Sequence, residues 1–172
     1  MKAWEDCVAF HGHECGGLTI GYKASLYAAQ LLGLTFSEDE QVVCVAENDA
    51  CGIDAIQVML GCSMGKGNLI LCLRGKSAYS FYDRKSGKSV RLVLKPRAGM
   101  TREESFSYYQ ACPLEEMFEV KAATVALPEK AKLFESHLCD GCGELTGTPW
   151  LRQVDGKRLC LDCMAAADEI YF

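Results

Sequence analysis

The chain has 172 residues, 49% of them hydrophobic and 24% charged, with a net charge of -5 at neutral pH. That length holds one ordinary domain, or one domain with a small appendage, and the composition is that of a soluble globular protein. The acidic balance supplies no global positive field for nucleic acid or acidic lipid, and no run approaches the ~18 apolar residues of a membrane span.

In chain order, WEDCVAFHG predicts a short helix, and GGLTIGYKASLYAAQLLGL a longer one. In the longer one, Leu18, Gly21, Tyr22, Ser25, Ala28, Ala29 and Leu32 recur at helical spacing and Gly33 suits the exit. Several residues on that face are small, which permits close packing against another element. QVVCVAE is a short apolar run with β-branched residues and predicts a buried strand. GIDAIQVML predicts a helix, GCSMGKGN a glycine-rich loop, and LILCLRG another buried strand. SAYSFYD and SVRLVLK alternate around the turn RKSGK as a hairpin. Thr101 and Glu104 form a capping box that opens the helix REESFSYYQAC. PLEEMFEV predicts a further helix and AATVAL a last strand.

Composition breaks near PEKAKLFESHLCDGC, which divides the chain into a mixed α and β domain, 1–135, and a cysteine-rich piece, 136–172. The opening MKAWEDC leads into no signal-peptide core, so the expected compartment is the cytoplasm. Eleven cysteines in a reducing compartment argue for metal ligands, reactive thiols and small buried residues rather than disulfides.

Cys139, Cys142, Cys160 and Cys163 follow the pattern C-x2-C-x17-C-x2-C. Two such pairs satisfy a tetrahedral ion that takes soft ligands, so this is a candidate structural zinc site. A four-cysteine iron centre fits the same spacing, and a redox dithiol would not need the second pair. The intervening ELTGTPWLRQVDGKRL predicts a hairpin with its turn at DG, and MAAADEI a helix. The piece is too short to bury a core, so metal binding is its expected source of stability.

FHGHECGG crowds two of the three histidines and Cys15 into five positions. In an extended turn, His11, His13 and Cys15 would share a face, and the following helix aims free N–H groups at them. Cys15 is therefore expected to be more reactive than a core cysteine. His11 would serve equally well by orienting the turn through hydrogen bonding. Cys51 opens a helix after a strand, with Asn48, Asp49 and Asp54 nearby, and Cys62 lies in the loop beyond. That loop also holds Lys66, but the spacing and the order of elements fail the phosphate-loop pattern. Cys44 and Cys72 read as small buried residues, and His137 as incidental. The candidate core site is His13, Cys15, Cys51 and Cys62, with a second transition metal as its occupant.

FHGHECGGLTIGYKAS, ENDACGIDAIQVMLGCSMGKGNL and the terminal CDGC…CLDC together resemble the FmdE family, which includes the FmdE subunit of molybdenum or tungsten formylmethanofuran dehydrogenase and stand-alone relatives. Gly16 stands where that family usually has proline. The resemblance implies a thioredoxin-like α+β domain with a five-stranded mixed sheet flanked by helices, a small C-terminal zinc-finger domain, and a homodimer. It places His13, Cys15, Cys51 and Cys62 at the family's motif positions. It points to a metal-binding accessory protein whose partners include subunits of a molybdenum or tungsten enzyme, with no membrane or nucleic-acid partner. The alternative is a small stand-alone enzyme with a cysteine-dependent or metal-dependent site. No segment suggests a pterin site or an iron–sulfur array, so the chain alone is not expected to carry out the dehydrogenase reaction.

Overall fold

A computed structural model describes residues 2–97, 99–126, 130 and 134–164. The chain forms two compact units, Met1–Ala131 and Lys132–Phe172.

In the first unit the order is α1 (Trp4–His11), α2 (Gly16–Leu32), β1 (Val42–Ala46), α3 (Gly52–Leu60), β2 (Leu69–Leu71), β3 (Ala78–Asp83), β4 (Ser89–Leu94), α4 (Arg102–Ala111), α5 (Leu114–Met117) and β5 (Phe118–Lys121). The strands make one mixed sheet in the order β2-β1-β3-β4-β5. Only β1 and β2 run parallel, joined by the α3 crossover, and the other pairs are antiparallel. This is the mixed five-stranded α+β sheet with helices that the sequence resemblance implies.

Alternation along β1 divides the core. Val42, Cys44 and Ala46 face the helices, in one cluster with Leu18, Ile56, Met59, Phe81, Leu92 and Phe118. Val43 and Val45 face the other way, with Tyr82, and are met by Ile70, Cys72 and Ala123. The segment after β5 lies on this second face, where the Tyr82 hydroxyl donates to the Val125 carbonyl (2.7 Å).

The small-residue stripe of α2 has a partner inside the unit. Gly21, Ser25, Ala28 and Ala29 are buried, and a Cβ on Gly21 would overlap the Gly52 carbonyl of α3. The two helices therefore approach at a glycine–glycine contact, which brings their N-terminal ends together. The stripe serves intramolecular packing, the close approach to another element that its small residues permit.

Two assignments change around β5. Phe118–Lys121 is a strand paired with Arg91–Leu94, although 118–120 were expected to end a helix, and the helix before it is a single turn. AATVAL, expected as the last strand, forms no strand in its described residues 122–126; Leu127 lies outside them. The glycine-rich loop is structural. The Asn68 amide donates to the carbonyls of Asp39, Val42 and Gly61, and Lys66 donates to the Ser37 carbonyl.

The second unit holds β6 (Ser136–Leu138), β7 (Leu145–Gly147), a 3-10 turn at Thr148–Trp150, β8 (Leu151–Val154), β9 (Lys157–Cys160) and α6 (Leu161–Met164). The predicted single hairpin is two. β7 pairs with β6 around the CDGC knuckle, and β8 pairs with β9 across Asp155-Gly156, both at positive φ. The helix expected over MAAADEI falls outside the described residues after Met164.

Candidate metal centres

In the core unit, α1 ends where Gly12 takes φ 92, a left-handed conformation that reverses the chain without a Cβ clash. The reversal sets His13 back against His11, with ring centroids 4.5 Å apart. The turn is held from outside by Trp4, whose Nε1 donates to Glu14 Oε1 (3.2 Å). Cys15 then caps α2. Its Sγ accepts from the Leu18 N–H (3.3 Å) and its carbonyl accepts from the Thr19 hydroxyl (3.0 Å).

The chain thus brings one donor atom each of His11, His13 and Cys15 within 4.8 Å of one another. His11 is the best-defined of the three. Its Nδ1 lies 2.7 Å from Asp54 Oδ2, and its Nε2 lies 3.7 Å from Cys15 Sγ. The carboxylate accepts from Nδ1–H, which leaves the lone pair on Nε2, aimed at the thiol. Gln57 Nε2 donates to the other Asp54 oxygen (3.3 Å). A carboxylate behind a ligating histidine is the usual way of fixing the tautomer of such a ligand.

Cys51 reaches the same place from α3. A Cβ on Gly17 would lie 3.6 Å from Cys51 Sγ and 3.9 Å from Cys15 Sγ. Burial, and then the neighbouring Cys15 thiol, push the Cys51 thiol up. Two clefts flank the group. One of about 350 Å³ is bordered by His11, Cys51, Ile53, Asp54 and Met64. The other, of about 460 Å³, is bordered by His13, Cys15, Arg102 and Phe106.

Of the four expected core residues, His13, Cys15 and Cys51 meet, and Cys62 does not. Cys62 follows the far end of α3, about 14 Å along the helix from Cys51 at 1.5 Å per residue. It is fully buried and donates to the Val42 carbonyl (3.5 Å), and burial pushes its thiol up to about 12. From the sequence His11 stood open between a place in the site and an orienting hydrogen bond, and Asp54 had no role. The four-residue step from His11 to Cys15 was visible, but the Asp54 contact depends on how α1 packs on α3. Cys44 is fully buried as expected, and Cys72 only partly.

In the second unit, the sulfurs of Cys139, Cys142, Cys160 and Cys163 lie within 4.8 Å of one another. Cys142 Sγ is 3.9 Å from Cys160 Sγ. Tetrahedral zinc with Zn–S near 2.3 Å needs sulfur separations of about 3.8 Å, so the donor set fits the ion. Cys139 Sγ accepts from the N–H groups of Cys160 (3.2 Å) and Gly141 (3.4 Å). Backbone N–H donation by Cys142, Cys160 and Gly141 brings its thiol down to about 6. The neighbouring Cys160 and then Cys139 push the Cys163 thiol up to about 12. One thiolate is thus prepared by the backbone, and a divalent cation would relieve the mutual opposition of the others. Asp140 ties the knuckle to β9 by accepting from the Arg158 N–H (2.6 Å). His137 is no part of the cluster; it lies 3.7 Å from Glu135.

Among the described residues no helix is long and apolar enough to cross a membrane.

A family model described as FmdE, molybdenum formylmethanofuran dehydrogenase operon, matches residues 10–141, a span that includes the whole core cluster. A probable S-adenosyl-L-methionine-binding protein of Archaeoglobus fulgidus is 29% identical over 187 residues, covering 90% of this chain and 50% of that protein. The chain thus spans about half the length of that curated relative. A crystal structure of a tungsten formylmethanofuran dehydrogenase FmdE-like protein from Syntrophus aciditrophicus aligns with a TM-score of 0.67 and 24% identity, over 96% of this chain and 92% of that one. At that identity the likeness speaks for the fold.

Proposed function

The chain belongs to the FmdE family, and on that premise we propose that it is a metal-binding accessory protein with two unlike sites. His11, His13 and Cys15 hold a transition metal in the core unit, with Cys51 beside them. Cys139, Cys142, Cys160 and Cys163 hold a structural zinc. The observation that carries this reading is the Asp54–His11–Cys15 chain at 2.7 and 3.7 Å, which presents a histidine lone pair and a thiol at one point. Imidazole and thiolate are ligands for zinc and neighbouring borderline-soft ions. When bound there, such an ion supplies Lewis acidity. The residues supply orientation: Asp54 fixes the His11 ring, and the Leu18 N–H fixes the Cys15 sulfur.

In this reading the finger docks a partner, either a second copy of the chain or subunits of a molybdenum or tungsten enzyme. The protein works in the cytoplasm, without a nucleic-acid partner. Sedimentation at micromolar concentration tests the homodimer; a monomer throughout that range would oppose it.

A small stand-alone enzyme is the second reading, favoured by the two clefts that border the donors from different sides. Three protein ligands with an accessible further position are the pattern of catalytic rather than structural zinc. The accessory reading, and the enzyme reading in its metal-dependent form, require the core metal. Cys15→Ser is expected to remove one ion per chain while the finger keeps its zinc. Unchanged metal content in that variant would end both of these and leave only a cysteine-dependent enzyme.

A further inference from the structure

The same corner of the core unit holds two sulfurs with a capacity of their own. Cys15 caps α2 and Cys51 precedes α3, and the Gly21–Gly52 contact draws those two helices together. Both sulfurs lie within 4 Å of the point a Cβ on Gly17 would occupy, with the Cys51 Cβ 3.1 Å from it. Thirty-six positions separate them in sequence, so no C-x-x-C motif announces the pair. Their exposure differs. Cys51 is half-buried and borders the 350 Å³ cleft, whereas Cys15 is 8% exposed. Cys44 and Cys62, which also influence one another, are fully buried, where a reagent cannot reach them.

We infer that Cys15 and Cys51 form a reversible intramolecular disulfide that withdraws Cys15 from the core metal site, making that site redox-controlled. The oxidant is a low-molecular-weight disulfide. The Cys51 sulfur attacks one of its sulfurs, the oxidant's S–S bond breaks, and one thiol leaves with the Cys51 proton. The Cys15 sulfur then attacks Cys51, the mixed disulfide breaks, and the second thiol leaves. His11 Nε2, 3.7 Å from Cys15 Sγ, takes the Cys15 proton and passes it to that departing thiolate. In sum, two protein thiols are oxidised by two electrons and one external disulfide is reduced to two thiols. A dithiol reductant reverses the exchange. The thiol pair stands on geometry alone; its effect on metal rests on the proposed core site.

The test uses the full chain, stripped of metal by a chelator and treated with 2-hydroxyethyl disulfide, with peptides mapped after acid quench. A Cys15–Cys51 linked peptide is expected, cleaved again by dithiothreitol. Cys15→Ser should stop at a single mercaptoethanol adduct on Cys51. Zinc-loaded protein should form the link at least about tenfold more slowly. Adducts on both sulfurs without a link, or Cys51 paired with another cysteine, would overturn the inference, and the wild-type map decides this without any variant. Metal bound in the core but no link in stripped protein defeats the inference and leaves the metal site standing. A link that forms equally fast with zinc present, in a core that binds none, defeats the metal site and leaves the thiol pair.

Discussion

Asp54 Oδ2 lies 2.7 Å from His11 Nδ1, joining residues 43 positions apart at the junction of two helices. The carboxylate decides which ring nitrogen faces Cys15, and the thiol alone would not. Asp54→Ala should therefore weaken metal binding in the core about 10–100-fold, with the finger's zinc retained. Competition against a chromophoric chelator measures it. Equal affinity in the variant would reduce Asp54 to a surface contact.

The finger should fold on its metal. Cys139→Ser or Cys163→Ser is expected to release about one zinc per chain and to open residues beyond about 136 to protease. Melting of the first unit should be unchanged. Retained zinc in both variants would remove the structural role of the cluster.

Gly21 sits where a Cβ would overlap the Gly52 backbone. Neither side is a flexible side-chain end, so the helices must move apart. Gly21→Ala should cost about 2–3 kcal/mol of stability by overpacking, seen in denaturant unfolding. It should also lower metal affinity in the core, since Cys15 and Cys51 depend on that approach. A variant of wild-type stability would show that the contact yields easily.

Glu47, at the end of β1, accepts two hydrogen bonds from Arg91 of β4, at 2.6 and 2.9 Å, and both side chains are largely buried. The Arg91 guanidinium, first through these hydrogen bonds, holds the Glu47 carboxyl below its ordinary value. A depressed folded value means the stabilisation is complete above the unfolded value near 4.3 and is lost as pH falls through the folded one. Glu47→Gln should lower stability by about 1–2 kcal/mol at pH 7 and flatten its decline below about pH 4. An unaltered acid limb would show that the pair contributes nothing.

The helices α1 to α4, the β3–β4 hairpin and the Thr101 capping box were legible because each is fixed locally, by periodicity, turn residues or caps. β5 was not. In Phe118–Lys121 only Phe118 is buried, so four residues carried too little alternation to outweigh the glutamates before them. Pairing with β4 decided the outcome. In the site, His13 and Cys15 were legible from glycine-permitted crowding, and the four finger cysteines from their spacing. Cys62 was misplaced because it was judged by nearness in sequence to Cys51, while the full length of α3 lies between them. Asp54 gained its role only from the packing of α1 on α3.

If the core donors hold a metal distinct from the finger's zinc, an element-resolved anomalous map of protein purified without oxygen will locate it. Two peaks per chain are expected, one among the sulfurs of Cys139, Cys142, Cys160 and Cys163, and one between His11, His13 and Cys15. A single peak at the finger, with the core donors hydrogen-bonded only to one another and to water, would contradict a metal in the core.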